Sequence, residues 1–183
     1  SQNPLDMAIS GNGFFTVATG NGTAYTRAGN FMRNDKGQIV TASGNVLLGQ
    51  SSVNSANGNA AGIVIPSKAT TVAIGSDGTV SYNLADATAP TQADQIAMVN
   101  FVNPTGLASA GGGLYYETMS SGDAQTGVAG QDGFGSISQY YTEQSNVNVA
   151  EELVSLIAAQ RAYEITAKSV SASDQILQKL GQL

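Results

Sequence analysis

The sequence predicts a mainly β chain that ends in one long α-helix, and three observations predict it. Short apolar runs, cut by glycine-bearing turn pairs, fill the chain up to its last quarter. From Ser145 to Leu183 the pattern changes to apolar residues three and four apart, the spacing of a helix face. No second stretch repeats that spacing, so the terminal helix has no helical partner of its own length in this chain.

From Asp6 to Val40 the runs and turns alternate as "DMAIS", Gly11-Asn12-Gly13, "FFTVAT", Asn21-Gly22, "AYTRAGNFMR", Asn34 to Gly37 and "QIVT". Asn-Gly between aromatic and β-branched residues predicts hairpins, here with type I′ turns. The stretch reads as a meander of consecutive hairpins. Ser43-Gly44 before "NVLLG", and Asp77-Gly78 between "TTVAI" and "TVSYNL", extend the pattern.

"SSVNSANGNAAG", residues 51–62, lacks charge and bulk, so it buries too little to offset its ordering entropy and reads as a surface loop. "QIAMVNFVN", Gln95 to Asn103, predicts a buried strand that stops at Pro104. Gly111-Gly112-Gly113, "LYYETM" and a glycine-rich tract follow, and "SISQYYTE" predicts a last strand. Four regions result: a hairpin region at 1–50, a variable β middle at 51–107, a return β segment at 108–144 and an amphipathic helix at 145–183.

Asn148 stands at the N-cap position of that helix, with Glu151 three residues on at capping-box spacing. Val149, Leu153, Leu156, Gln160, Tyr163, Ala167, Val170, Asp174 and Leu177 recur at alternating steps of four and three, a heptad seam interrupted by two polar residues. A second row, including Val154, Ile157, Ile165, Ile176 and Leu180, widens the apolar surface beyond a two-helix seam. Apolar area of that extent marks an interaction surface, so the predicted coiled-coil partners are other chains or a segment outside this sequence.

Composition narrows the function classes. With no cysteine and no histidine there is no disulfide, no thiolate nucleophile and no imidazole base. The net charge is −6, and no basic residue stands between Lys68 and Arg161, so a phosphate-backbone partner is not expected. No apolar run is long enough to span a bilayer as a helix, and the opening "SQNPLDMAIS" lacks the regions of a secretory signal. The glycine clusters lack the lysine and hydroxyl of a phosphate loop. Scattered carboxylates such as Asp77, Asp86, Asp94, Glu117, Asp123 and Asp132 share no catalytic spacing. The chain is therefore read as no enzyme, with no cofactor and no metal; the alternative from another class is a secreted β-rich carbohydrate-binding or hydrolytic domain, in which two of these carboxylates meet in a cleft.

Arg27 and Arg33 flank a segment in a nearly charge-free region. They read equally as edge charges that blunt strand-to-strand association and as charges that pair with a neighbouring subunit.

"NPLDMAISGNGFFTV" with "AYTRAGNFMRNDKGQIVTASGNVLLG", the closing "EQSNVNVAEELVSLIAAQRAYEITAKSVSASDQILQKLGQL", and "VNFVNPTGLASAGGGLYYET" together resemble the bacterial flagellar rod and hook family. The resemblance implies a structural subunit of the flagellar basal body, exported through the flagellar type III channel into the periplasm. It also implies helical polymerisation with copies of itself, contact with other axial proteins of the rod and hook, and contact with the periplasmic and outer-membrane rings. Family members begin with an N-terminal helix that pairs with the C-terminal one, whereas this chain opens at the β region. The resemblance thus supplies the partner expected to cover Val149, Leu153, Leu156, Tyr163, Ala167, Val170, Leu177 and Leu180.

Overall fold

A computed structural model describes residues 2–53, 62–85, 87, 89–143 and 149–180, with helix side chains described at 153–168 and 170. The chain divides into two units, Ser1–Glu143 and Gln144–Leu183. The fold is mostly β with a single long C-terminal helix.

The first unit contains strands β1 (Met7–Ser10), β2 (Phe14–Thr19), β3 (Gly22–Thr26), β4 (Phe31–Arg33), β5 (Ile39–Thr41) and β6 (Val46–Leu47). A single helical turn, α1 (Gln50–Val53), precedes β7 (Ala69–Ile74), β8 (Thr79–Leu84), β9 (Thr91–Gln95) and β10 (Met98–Asn100). Strands β11 (Ala108–Gly111), β12 (Leu114–Tyr116), β13 (Gln125–Gly127) and β14 (Ser136–Gln139) complete it. One sheet runs β11-β12-β3-β2-β6-β5-β4, with β10 joined to β2 and to β13. Strands β7, β8 and β9 form a second sheet, and β1 with β14 a third.

The expected meander of consecutive hairpins holds for β2-β3 and for β4-β5-β6 but not for "DMAIS". Strand β1 pairs antiparallel with β14 from the far end of the unit, Met7 opposite Gln139 and Ser10 opposite Ser136. Its start is held elsewhere too, because the Met7 amide donates to the Gly29 carbonyl at 2.9 Å. A Cβ on Gly29 would lie 1.5 Å from the Met7 carbonyl oxygen, so this crossing requires glycine.

The β2-β3 turn also departs from expectation. Thr19 pairs with Gly22 across Gly20-Asn21, and positive φ falls on Gly22 (+119°) instead of Asn21, so the turn is not type I′. Thr19 Oγ1 accepts from the Asn21 amide and donates to the Gly22 carbonyl, closing the turn by side chain.

"FFTVAT" is buried on both faces, which is why it does not alternate apolar and polar. Phe15 joins the main core with Val17, Phe31, Leu47, Ile65 and Met98, and meets the Phe31 ring edge-on at 5.3 Å. Its neighbour Phe14 points the other way into a second cluster with Tyr25, Val99 and Phe101. Burial, then the nearby Glu117 charge and its hydrogen bond, push the Tyr25 phenol above the ordinary tyrosine value.

"QIAMVNFVN" is buried from Ile96 to Val99 and at Phe101, but Val102 and Asn103 are exposed, and it is not one strand. The Ile96 amide donates to Gly78 and the Ala97 amide to Leu48, so the chain changes sheets between β9 and β10. Likewise "SISQYYTE" ends as a strand at Gln139, because Tyr140 takes a φ of +68°. In the predicted loop 51–62, the α1 turn occupies the beginning, and 54–61 lie outside the described residues.

Gly29→Ala should cost about 3 kcal/mol or more in urea unfolding, since the added methyl meets backbone that cannot step aside. Gly20→Ala, with nothing within 4 Å of the new methyl, should stay within about 0.5 kcal/mol of the parent. Equal effects at the two sites would contradict the Met7 crossing.

Candidate assembly surface

Two groups of residues bear on function: those where the β unit begins and ends, and those on the helix. Because β1 pairs with β14, the entry and exit of the β unit lie side by side. Gln139 braces this corner, its amide nitrogen donating to the carbonyls of Pro4 (2.6 Å) and Val72 (3.1 Å) while its oxygen accepts from the Ile74 amide. One side chain thereby links β14 to the N-terminal stretch and to β7. Nothing in the sequence distinguished this glutamine, because its role depends on three segments far apart in the chain.

Arg27 follows β3 and is engaged within its own chain. Its Nε donates to Glu143 Oε2 at 3.1 Å, its Nη2 to the Gly11 carbonyl at 3.0 Å and to Ile9 at 3.4 Å, and its guanidinium stands 5.9 Å from the Phe14 ring centre. Glu143 is the last residue of the β unit, so Arg27 fastens the chain where it leaves that unit. Arg33, at the end of β4, donates Nη1 to the Pro66 carbonyl at 3.2 Å and lies on the rim of a groove. That groove, about 490 Å³, is floored by Leu5 and Ile65 and walled by Pro4, Val72 and Tyr140. It was invisible in the sequence because its lining comes from four separated segments.

The helix α2 (Val149–Leu180) is unbroken over 32 residues, about 48 Å at 1.5 Å per residue. All eight predicted face residues fall within it, from Val149 to Leu180. Leu153, Leu156, Tyr163, Ala167 and Val170 are exposed, Tyr163 at 79%. The second-row residues Val154, Ile157 and Ile165 are exposed as well. The side chains of Val149, Leu177 and Leu180, and the expected cap Asn148, lie outside the described residues. Leu156, Ala159, Gln160, Tyr163 and Glu164 share one exposed, mostly apolar stretch of the helix surface. Polar Gln160 stands between Leu156 and Tyr163 on this face.

Among the other polar groups, some bridge distant segments, as Gln50 does to the Gly127 carbonyl, and some serve turns. Asp77 accepts from the Thr79 hydroxyl at 2.8 Å and the Thr79 amide at 3.1 Å, which lowers its carboxyl below the usual value. Among the described residues no three acidic side chains gather as metal ligands, and no helix is long and apolar enough to cross a membrane.

Comparison with known proteins matches two domain descriptions. Residues 8–82 match the flagellar hook protein FlgE/F/G D1 domain, and residues 138–183 match the flagellar basal body rod FlgEFG protein C-terminal domain. The flagellar basal-body rod protein FlgG of Caulobacter vibrioides is 42% identical over 184 residues, covering 100% of this chain and 66% of that protein. FlgG of Buchnera aphidicola subsp. Acyrthosiphon pisum is 46% identical over 97% of this chain and 64% of its own length. The flagellar hook protein FlgE of Escherichia coli K12 is 42% identical over 60% of this chain and 27% of its own. The chain thus spans just under two thirds of the length of the rod relatives it matches.

The Arg27 geometry makes a graded prediction. Glu143→Gln should cost less than about 1 kcal/mol in thermal unfolding, as exposed ion pairs do. Arg27→Ala should cost more, about 1–3 kcal/mol, because the carbonyls of Ile9 and Gly11 also lose a charged donor. A neutral Arg27→Ala would contradict its role as an intrachain fastener.

Proposed function

The chain belongs to the flagellar hook and basal-body rod family, FlgE/F/G, and from that membership we propose that it is the assembly-bearing part of a distal-rod subunit. The subunit polymerises helically into the rigid shaft that transmits torque to the hook. The matched domains are those of flagellar hook and rod proteins, and the chain is read here as a mechanical part and not as an enzyme. Its partners are copies of itself, the proximal rod and hook on either side, and the rings of the periplasm and outer membrane. The rod reading is preferred to the hook because rod-named relatives match nearly the whole chain, whereas the hook match is partial.

The observation that carries the proposal is the exposed seam on α2, with Leu156 and Tyr163 open on a continuous helix. Exposed apolar area of this kind is costly in a free subunit and is removed when helices from several subunits pack together. Each fully buried leucine-sized side chain contributes about 1.5–3 kcal/mol. Several per subunit, repeated along a polymer, give a shaft that resists shear. Because β1 pairs with β14, the chain enters and leaves the β unit at one corner.

Replacing Leu156 and Tyr163 together by Asp should abolish filaments in negative-stain electron microscopy. The β unit should keep its unfolding free energy within about 0.5 kcal/mol. Normal filaments from the double variant would rule out this seam.

A further inference from the structure

We propose that the β unit carries a head-to-tail contact of its own, in which the acidic, methionine-tipped loop 117–123 of one copy seats in the Arg33-rimmed groove of a second copy. The inference rests on the polymerising reading above and names a contact separate from the helix seam.

The loop has the form of a preorganised plug. Met119 at its tip is fully exposed, and Val102 is exposed on the adjoining segment. Beneath the tip, Ser121 is buried and donates to the Thr118 carbonyl at 2.8 Å while accepting from the Thr118 amide. Thr118 Oγ1 donates to the Gly106 carbonyl at 2.6 Å, and Asn103 Nδ2 to the Ser120 carbonyl at 3.0 Å. A loop stapled in this way loses little freedom when it docks, and an unbranched methionine adapts to an irregular pocket.

The groove is an open depression beside β7, with the buried side chains of Leu5 and Ile65 at its base. Charge selects the pairing. Arg33 lies on the groove's rim, with Lys36 in the following turn and Lys68 just before β7, and Asp35 is the acid interleaved among them. Glu117 and Asp123 flank Met119, and the β unit has no basic residue after Lys68. Plug and socket belong to different ends of the strand order: β4, which ends in Arg33, is its last strand, and β11-β12, which leads into the loop, begins it. Two different patches make a heterologous contact, which builds an open helical array where its rotation does not close into a ring.

The chain has no cysteine, so engineered pairs report without background. Full-length Met119→Cys mixed with full-length Thr71→Cys, whose site lines the groove, should form a disulfide about tenfold faster than Met119→Cys mixed with Ser43→Cys. Raising NaCl from 50 to 500 mM should slow it at least about threefold. Arg33→Glu in the groove copy should slow it about tenfold, and Glu117→Arg with Asp123→Arg in the plug copy should restore it. Equal rates for the two mixtures, or rates indifferent to both salt and charge reversal, would overturn the contact. Micrographs of the same samples separate the two readings: filaments without preferential cross-linking overturn this contact and leave the helix seam standing. Preferential cross-linking without filaments supports the contact and counts against the seam.

Discussion

The ladder between β1 and β14 is the constraint on which the β unit depends. It joins Met7–Ser10 to Ser136–Gln139, so almost the whole unit is the loop that this pairing closes. Closing a loop of that size costs entropy that only later contacts repay, through Met7, Ile9 and Ile137 in the core. The Gly29 crossing on one side and the Gln139 brace on the other turn a two-stranded ribbon, marginal alone, into a fixed corner. Everything that leaves the β unit does so from there, with Arg27 holding Glu143 at the exit.

Much of this was legible in the sequence where the signal is local. The turns at Asn34–Gly37, Ser43-Gly44 and Asp77-Gly78 bear positive φ on their glycines and hairpins around them, as their residue types require. The helix was legible because its periodicity extends over many turns without a breaker. What was hidden is nonlocal. The pattern of "DMAIS" says strand but not which strand it meets, and "QIAMVNFVN" says buried but not that it passes between sheets. Arg27 illustrates the same limit, since Glu143, its carboxylate partner, is 116 residues away. The asparagine of Asn21-Gly22 suggested a turn type that the threonine before it altered by bonding the turn itself.

The two units differ in what stabilises them. The β unit has its own core of Phe15, Phe31, Ile39, Leu47, Ile96 and others, and needs no partner to bury it. The helix derives stability from packing or from none, because in a helix in water propensity alone is marginal and exposed leucines contribute nothing. On the proposed reading, that division lets the β unit fold before assembly while the helix gains its stability when neighbours meet.

Hydrogen exchange of the full chain, dilute and then assembled, tests that division most directly. In dilute solution the amides of residues 153–168 should exchange at least about a hundredfold faster than those of β2 and β3, and assembly should slow them to the rates of the strands. Helix amides already as protected as β2 in the dilute chain would contradict the account, because the seam would then owe nothing to its neighbours.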